Sequence, residues 1–403
     1  MKVEIGFDLS AGGTGAWFTL DDPVKGELDN ATYKLSGEVL VDVTDRVRDV
    51  SVKRGRSRTL EKFTAGVASV VMDNRDRALD PLNTAGPYYT SIVPRKMVRV
   101  SRDGAELFTG NIEDYSWGYS LGGDATAQAN AVDGFALIAQ SVLPAGTATA
   151  ELSGARVSAV LDTLGWPAAT RAISTGQATL DADTVEDNVN ALSYLGQVEL
   201  SEPGAFFVSK AGAMTFRDRA DLENFTTGGL TFGPTGVPFI DYSPASVTEE
   251  MLNSVAVTWY GGTVVAGTAV AFDAASQLAY GVFDKQVNTL LASEVDAQSL
   301  ADYLIAQYKD PTYRIDTITV VLDGCTSAQV AQVLDLELGD AVLVEWTPNG
   351  IGDPISQYVT IDAIEHRASP ARHDVTLTLS QTSAAFILDD VHFGILDTST
   401  LGF

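Results

Sequence analysis

A single cysteine, Cys325, and three histidines, His366, His373 and His392, are all that 403 residues contain of the usual soft metal ligands. One cysteine excludes an intrachain disulfide, and a buried structural thiol is its simplest role. No CxxC, HExxH or His/Cys cluster occurs, so the spacing offers no zinc site. No EF-hand loop is present either. Phosphate loops are missing: "SAGGTGAWF", residues 10–18, is glycine-rich but lacks the lysine and a preceding buried strand, and reads as a turn. There is no GxSxG elbow.

Positive charge is scarce. The chain has 26 Lys and Arg against 53 Asp and Glu, a net charge of -27. Phosphate binding needs clustered cations, so a general nucleic-acid binder is excluded. Free copies should repel one another. Long apolar runs are scarce too. "MKVEIGFDLS" lacks the apolar core of a secretory signal. The one long uncharged run, residues 254–272, holds three Gly and three Thr and is split by Gly261-Gly262. It predicts a β-hairpin rather than a membrane span.

What is present is enough for a core: 45% of residues are hydrophobic and 20% charged. Residues 38–44, 49–55 and 66–73 alternate apolar and polar, and residues 95–117 read as strands around an Asp103-Gly104 turn. No crossover helix fits between them, so antiparallel pairing in a small barrel or sandwich is expected over residues 1–134. Residues 135–245 change character. Val157, Val160, Leu161 and Leu164 share a helical face that Ser153 would cap. A second helix is expected over 184–196, with Thr184 and Asp187 as a capping box, Val185, Val189 and Leu192 as its stripe, and Gly196 as its stop. A hairpin then turns near Lys210–Gly212. Residues 246–385 return to β, with a helix over 294–309 that Ser293 caps and Pro311 blocks. Strands are expected over 316–324, 340–347, 357–368 and 373–380, and residues 386–403 as an arm or a strand that pairs with a neighbour. The fold class is thus mainly β with a small α+β insert.

Chemistry is hard to place. Glu113, Asp114, Asp340 and Glu365 read as solvated faces or turns. Glu365-His366 and His373-Asp374 flank the predicted turn "RASPAR" and are expected at the surface. Trp117, Trp166, Trp259 and Trp346 sit in strand or helix patterns where packing is commoner than sugar stacking. No enzyme and no cofactor is expected.

The oddest stretch is "RGRSRTLEKFTAGVASVVMDNRDRALDPLNTAGPYY", residues 54–89. From Arg46 to Arg77 there are nine basic and four acidic residues, net +5, which leaves about -32 on the rest. A basic strip on an acidic chain can meet the acidic face of a neighbour. Arg54, Arg56, Arg58, Arg75 and Arg77 are the candidate interface residues. Charge reversal at the first three is expected to leave the chain folded, and rising salt to weaken the contact. In the loop that follows, Asp80 and Asn83 can bond their own backbone, Pro81 and Pro87 fix dihedrals, Tyr88 and Tyr89 anchor it, and Asp76 is available to Arg75 or Arg77.

The segments "RGRSRTLEKFTAG", "MDNRDRALDPLNTAGPYY", "VPRKMVRV" and "LFTGNIEDYSW" resemble the first domain of minor tail proteins of long-tailed actinobacterial phages, of the baseplate hub type. The resemblance is dense over residues 38–118 and weaker in "FFVSKAGAMTFRDR", "LELGDAVLVEW" and the strands after it. It implies two β-barrel tube-like domains per subunit, over 1–134 and 246–385, separated by the insert. It also implies a homotrimer at the tail tip of the virion, made in the host cytoplasm. Implied partners are the distal tail protein, the tape measure protein and receptor-binding proteins, with DNA passing through unbound. A hexameric distal tail ring is the alternative reading, and a cell-wall carbohydrate-binding or hydrolytic protein is another.

Overall fold

A computed structural model describes residues 1–7, 23–24, 39–57, 61–223, 229–245, 251–311 and 314–382. Arg58, among the candidate interface residues, and the expected arm over 386–403 lie outside the described residues.

The first third forms seven strands: β1 (Lys2–Phe7), β2 (Val39–Asp42), β3 (Val47–Gly55), β4 (Thr64–Asp73), β5 (Met97–Arg102), β6 (Ala105–Tyr119) and β7 (Ala125–Val132). All pair antiparallel, in the order β2-β1-β5-β6-β7-β4-β3. Period-two alternation decides which face is buried. In β7 it turns Ala125, Ala127, Ala129 and Ala131 inward, and in β4 Ala68, Val70 and Met72. Phe7, Phe108 and Ile112 fill the space these small residues leave.

The sheet does not stop at β3. Its free edge pairs antiparallel with the Ile355–Ser369 strand, from Gly55 opposite Ala363 to Val50 opposite Ala368. The path then runs through the Arg372–Gln381, Arg314–Val321 and Asp241–Ala245 strands. Ala341–Trp346 and Thr231–Phe232 branch from Ile355–Ser369. The first and last thirds thus share one 13-stranded sheet and one hydrophobic cluster. The boundary expected at residue 245 does not divide these strands. Thr231–Phe232 and Asp241–Ala245 precede it and pair with strands that follow it. Residues 251–311 instead carry a second cluster, in which the Glu294–Tyr308 helix packs on a three-stranded sheet.

Several local expectations hold. The 254–272 hairpin forms as Ser254–Tyr260 and Val265–Phe272, and the second insert hairpin as Ala205–Val208 and Met214–Arg217. Ser293 accepts the Asp296 N–H at the start of the Glu294–Tyr308 helix. Others change. Ser153 begins its helix, Ser153–Thr163, but spends its hydroxyl on the buried Glu202 carboxylate rather than on a cap. The expected 184–196 helix starts later and ends later, at Ala191–Ser201, capped by Asn190. Thr184 and Val185 pair as a short strand with 146–148, and Gly196 lies mid-helix, where the Lys62 side chain packs against it. A further helix, Ser327–Asp335, opens with a full capping box between Thr326 and Gln329.

Candidate functional site

Arg54 and Arg56 sit at the end of β3, where the two groups of strands join. Gly55 between them has φ +119°, and a Cβ there would lie 2.2 Å from the Asp362 carbonyl oxygen. Only glycine lets the two strands approach this closely. The turn of backbone sends the two arginines to separate acidic partners. Arg54 Nη1 donates to Glu337 Oε1 at 2.7 Å and to the Val208 carbonyl at 3.3 Å. Arg56 Nε donates to Asp362 Oδ1 at 2.9 Å, and its guanidinium lies 4.5 Å from the Phe63 ring centroid. Arg54 is 3% exposed. Its expected place on an outer strip is therefore corrected. The strand alternation that exposes Lys53 turns Arg54 inward, against the insert and the 337–340 loop. Lys210 completes this join by donating from Nζ to the carbonyls of Leu334 and Asp335 at the end of the Ser327–Asp335 helix.

The rest of the strip is neutralised in place. Arg46 grips Asp76 through two bonds, at 2.8 and 2.7 Å. Asp76 was expected to serve Arg75 or Arg77. Those two instead take Asp73 and Asp80. Arg48 bridges Asp124 and Asp73. The arginine contacts pull Asp73 and Asp76 below the usual carboxylate range. Asp80 is lowered chiefly by the Leu82 N–H that it accepts.

Residues 74–89 form a ladder of turns with a three-residue period. The N–H groups of Arg77, Asp80, Asn83, Gly86 and Tyr89 donate to the carbonyls of Asn74, Arg77, Asp80, Asn83 and Gly86. Side chains lock the steps. Asn74 Oδ1 accepts the Leu79 N–H at 2.9 Å, Asp80 Oδ1 the Leu82 N–H at 2.8 Å, and Asn83 Nδ2 donates to the Arg77 carbonyl at 2.9 Å. Trp117 donates its indole N–H to the Leu79 carbonyl. Tyr88, after Pro87, stacks on Phe7 at 4.3 Å between ring centroids. Tyr89 does not share this anchoring and is 40% exposed.

His366 and His373, expected at the surface, are buried. His366 is in phase with Ile364 and Ala368 on the inner face of its strand. Its Nδ1 lies 3.1 Å from His373 Nε2, and His373 Nδ1 lies 2.8 Å from Arg102 Nη1. Arg102 also reaches Asp323 at 3.2 Å, so the end of β5 is tied to the far side of the sheet. Burial pushes His366 well below the ordinary imidazole value, and burial with the nearby Arg102 charge takes His373 down to about 4. Glu365 and Asp374 hold their own neighbours Arg367 and Arg372. Among the described residues no trio of His, Cys, Asp or Glu could hold a metal ion.

Below the join lies a cavity of about 140 Å³ shared by Arg56, Glu199, Leu252, Val287, Tyr308 and Gln381. Glu199 faces it with a single long bond, from the Phe206 N–H at 3.3 Å. Burial raises its carboxyl to about 7 against the pull of Arg56. The arrangement is one of joints: ion pairs and turns fasten strands, insert and loop into one body.

No protein-family model matches the chain, and no curated protein does. Solved structures do. The tail protein from Neisseria meningitidis MC58 is similar with a TM-score of 0.58 and 13% identity, over 85% of this chain and 93% of that one. The 43 kDa tail protein of prophage MuSo2 from Shewanella oneidensis is similar with a TM-score of 0.58 and 11% identity, over 95% of this chain and 99% of that one. The chain has the fold of these tail proteins. The likeness spans both groups of strands and the insert, so the shared sheet belongs to the fold as a whole.

Proposed function

We propose that this chain is a structural protein of a phage tail and forms the hub at the tail tip. The observation behind this reading is the join of β3 to Ile355–Ser369, which sets two groups of antiparallel strands side by side in one subunit. If each group curls as a barrel, three subunits present six barrels around a channel, and a six-fold tube can sit on a three-fold tip. The likeness in fold to a prophage tail protein over nearly the whole of both chains supports the same role. Distal tail, tape measure and receptor-binding proteins would be its neighbours in the virion, and DNA would pass without being held. The chemistry is mechanical: the ion pairs brace a ring rather than attack a substrate.

Subunit contacts in this reading fall on what the strip leaves outside. Arg75 and Arg77 keep 65% and 54% of their side chains exposed while paired to Asp73 and Asp80. Arg54 and Arg56 act within the subunit. Native mass spectrometry of the purified protein tests the assembly. A particle of three times the 42.7 kDa chain supports the hub, and a six-fold particle favours the distal tail ring. A chain that stays single in assembled tails sinks the reading.

A further inference from the structure

The unit built by residues 251–311 has a bare edge. Its sheet runs Val265–Phe272, Ser254–Tyr260, Asp284–Val287, with the Glu294–Tyr308 helix on one face. The Val265–Phe272 strand is at the rim. Asp273 N–H donates to Asn253 O, and the register pairs Ala269 with Val257 and Ala271 with Val255. Alternation therefore points the backbone groups of Thr268, Val270 and Phe272 away from the sheet. Among the described residues, one weak bond reaches this side, from Gln298 Nε2 to the Val270 carbonyl at 3.4 Å. Edges of this kind are usually blunted by Lys, Pro or a charge. Residues 261–272 contain none of these, in a chain of net charge -27. Val265, Val270, Phe272, Leu278, Tyr280 and Val282 are all exposed around it. An open, uncharged edge asks for another strand.

The chain supplies one nearby. The Arg372–Gln381 strand ends at the cavity that Ser380 and Gln381 share with Lys285 and Val287 of the third strand of this sheet. From there the rim is two strand spacings away, about 10 Å. Three or four extended residues cover that at about 3.3 Å each. The sequence that follows, "AFILDDVHFGIL" at 385–396, is rich in aromatic and branched apolar residues and has no Lys, Arg or Pro. We propose that residues 385–396 of the same chain add to the outer edge of Val265–Phe272 as a fourth strand. Backbone bonds to Thr268, Val270 and Phe272 hold it, and its apolar side chains cover Val270 and Phe272.

Hydrogen exchange on the isolated full-length chain, at submicromolar concentration, tests this. In the native sequence the Thr268, Val270 and Phe272 amides should exchange at least about tenfold more slowly than in the Ile387→Asp/Val391→Asp variant, while the Ala269 and Ala271 amides stay the same. A chain ending at Thr382 should behave like the variant, and a peptide of residues 385–396 should restore its protection. Equal exchange in native and variant chains overturns the proposal. So does protection that grows with protein concentration, because a second copy would then be the occupant. The assay needs no ring, so its failure leaves the hub reading untouched.

Discussion

Arg54 Nη1 and Glu337 Oε1 meet at 2.7 Å across the junction of β3, the insert and the 337–340 loop. Their side chains are 2% and 19% exposed. Removing one partner of such a pair leaves the other charge buried, at a cost of about 3–5 kcal/mol. Arg54→Ala should therefore lower the unfolding midpoint sharply, and Arg54→Glu should prevent folding. The sequence alone suggested that reversal here would leave the fold intact. Denaturant titration of the two variants decides: a midpoint unchanged from the native chain contradicts the buried role.

Gly55→Ala tests the same seam without touching charge. The added methyl meets Asp362 O at 2.2 Å and the backbone is in the left-handed region. A loss of at least about 2 kcal/mol is expected from combined strain and overlap. Gly104→Ala is the control. It also has positive φ, but nothing lies within 4 Å of its Cβ, so it should cost about 1 kcal/mol.

The turn ladder gives smaller numbers. Asp80→Ala and Asn83→Ala each remove a side-chain to backbone bond, worth about 1 kcal/mol. Asn74→Ala should cost more, about 1–3 kcal/mol, because it strands the buried Leu79 N–H. Thermal melts that rank Asn74 equal to or below the other two would show that the ladder is not held from its first step.

Titration contributes with opposite signs. Glu199 is raised to about 7 in the folded chain, so the native state binds the extra proton and its ionised form is penalised above that pH. Glu199→Gln should stabilise by about 1–3 kcal/mol at pH 8 and give little gain at pH 5. His373 is lowered to about 4 and His366 lies well below 6.5. For them the unfolded chain binds more protons, so their contribution is full above about 6.5 and is lost as pH falls toward about 4. Replacing both by Phe should flatten that part of the stability curve. Melting temperatures of the three proteins across pH 4–8 check both signs. A Glu199→Gln gain that is the same at pH 5 and pH 8 would sink the first.

Salt should favour assembly. The sequence suggested that the basic strip would attract a neighbour and be screened. In the structure Arg46, Arg48, Arg54, Arg56, Arg75 and Arg77 all have acidic partners in their own subunit. What remains between copies is the repulsion of -27 charges on each. Light scattering over about 50–300 mM salt should show more of the assembled species at the high end. A decline would restore the strip as the attractive element. Arg75→Gln/Arg77→Gln should still fold, and should form rings less readily.

Local patterns carried a good share of this fold. Alternation marked β3, β4 and the 254–272 hairpin, and the stripe of Ala297, Leu300, Ala301 and Ile305 marked the Glu294–Tyr308 helix. The Ser327–Asp335 helix was missed although "TSAQ" spelled its capping box, because short apolar runs on either side dominated the reading. His366 was legible in principle, being in step with Ile364 and Ala368, but its Glu365 neighbour drew it outward. Arg54 was misplaced for the same reason: charge type was weighed above strand parity. The pairing of β3 with Ile355–Ser369 has no local signature at all, since it depends on where two distant edges meet.

That pairing also sets a clock. On the ribosome β3 emerges with one edge satisfied by β4, and its other partner, residues 363–368, is synthesised roughly 300 residues later. At about 5–20 residues per second the interval is about 15–60 s. For that time the nascent chain presents an unpaired strand whose next residues include Arg54 without Glu337. Completion of the sheet is thus tied to completion of the polypeptide, and a messenger cut short upstream of residue 363 yields no partial subunit with a finished sheet to compete for a place in an assembly.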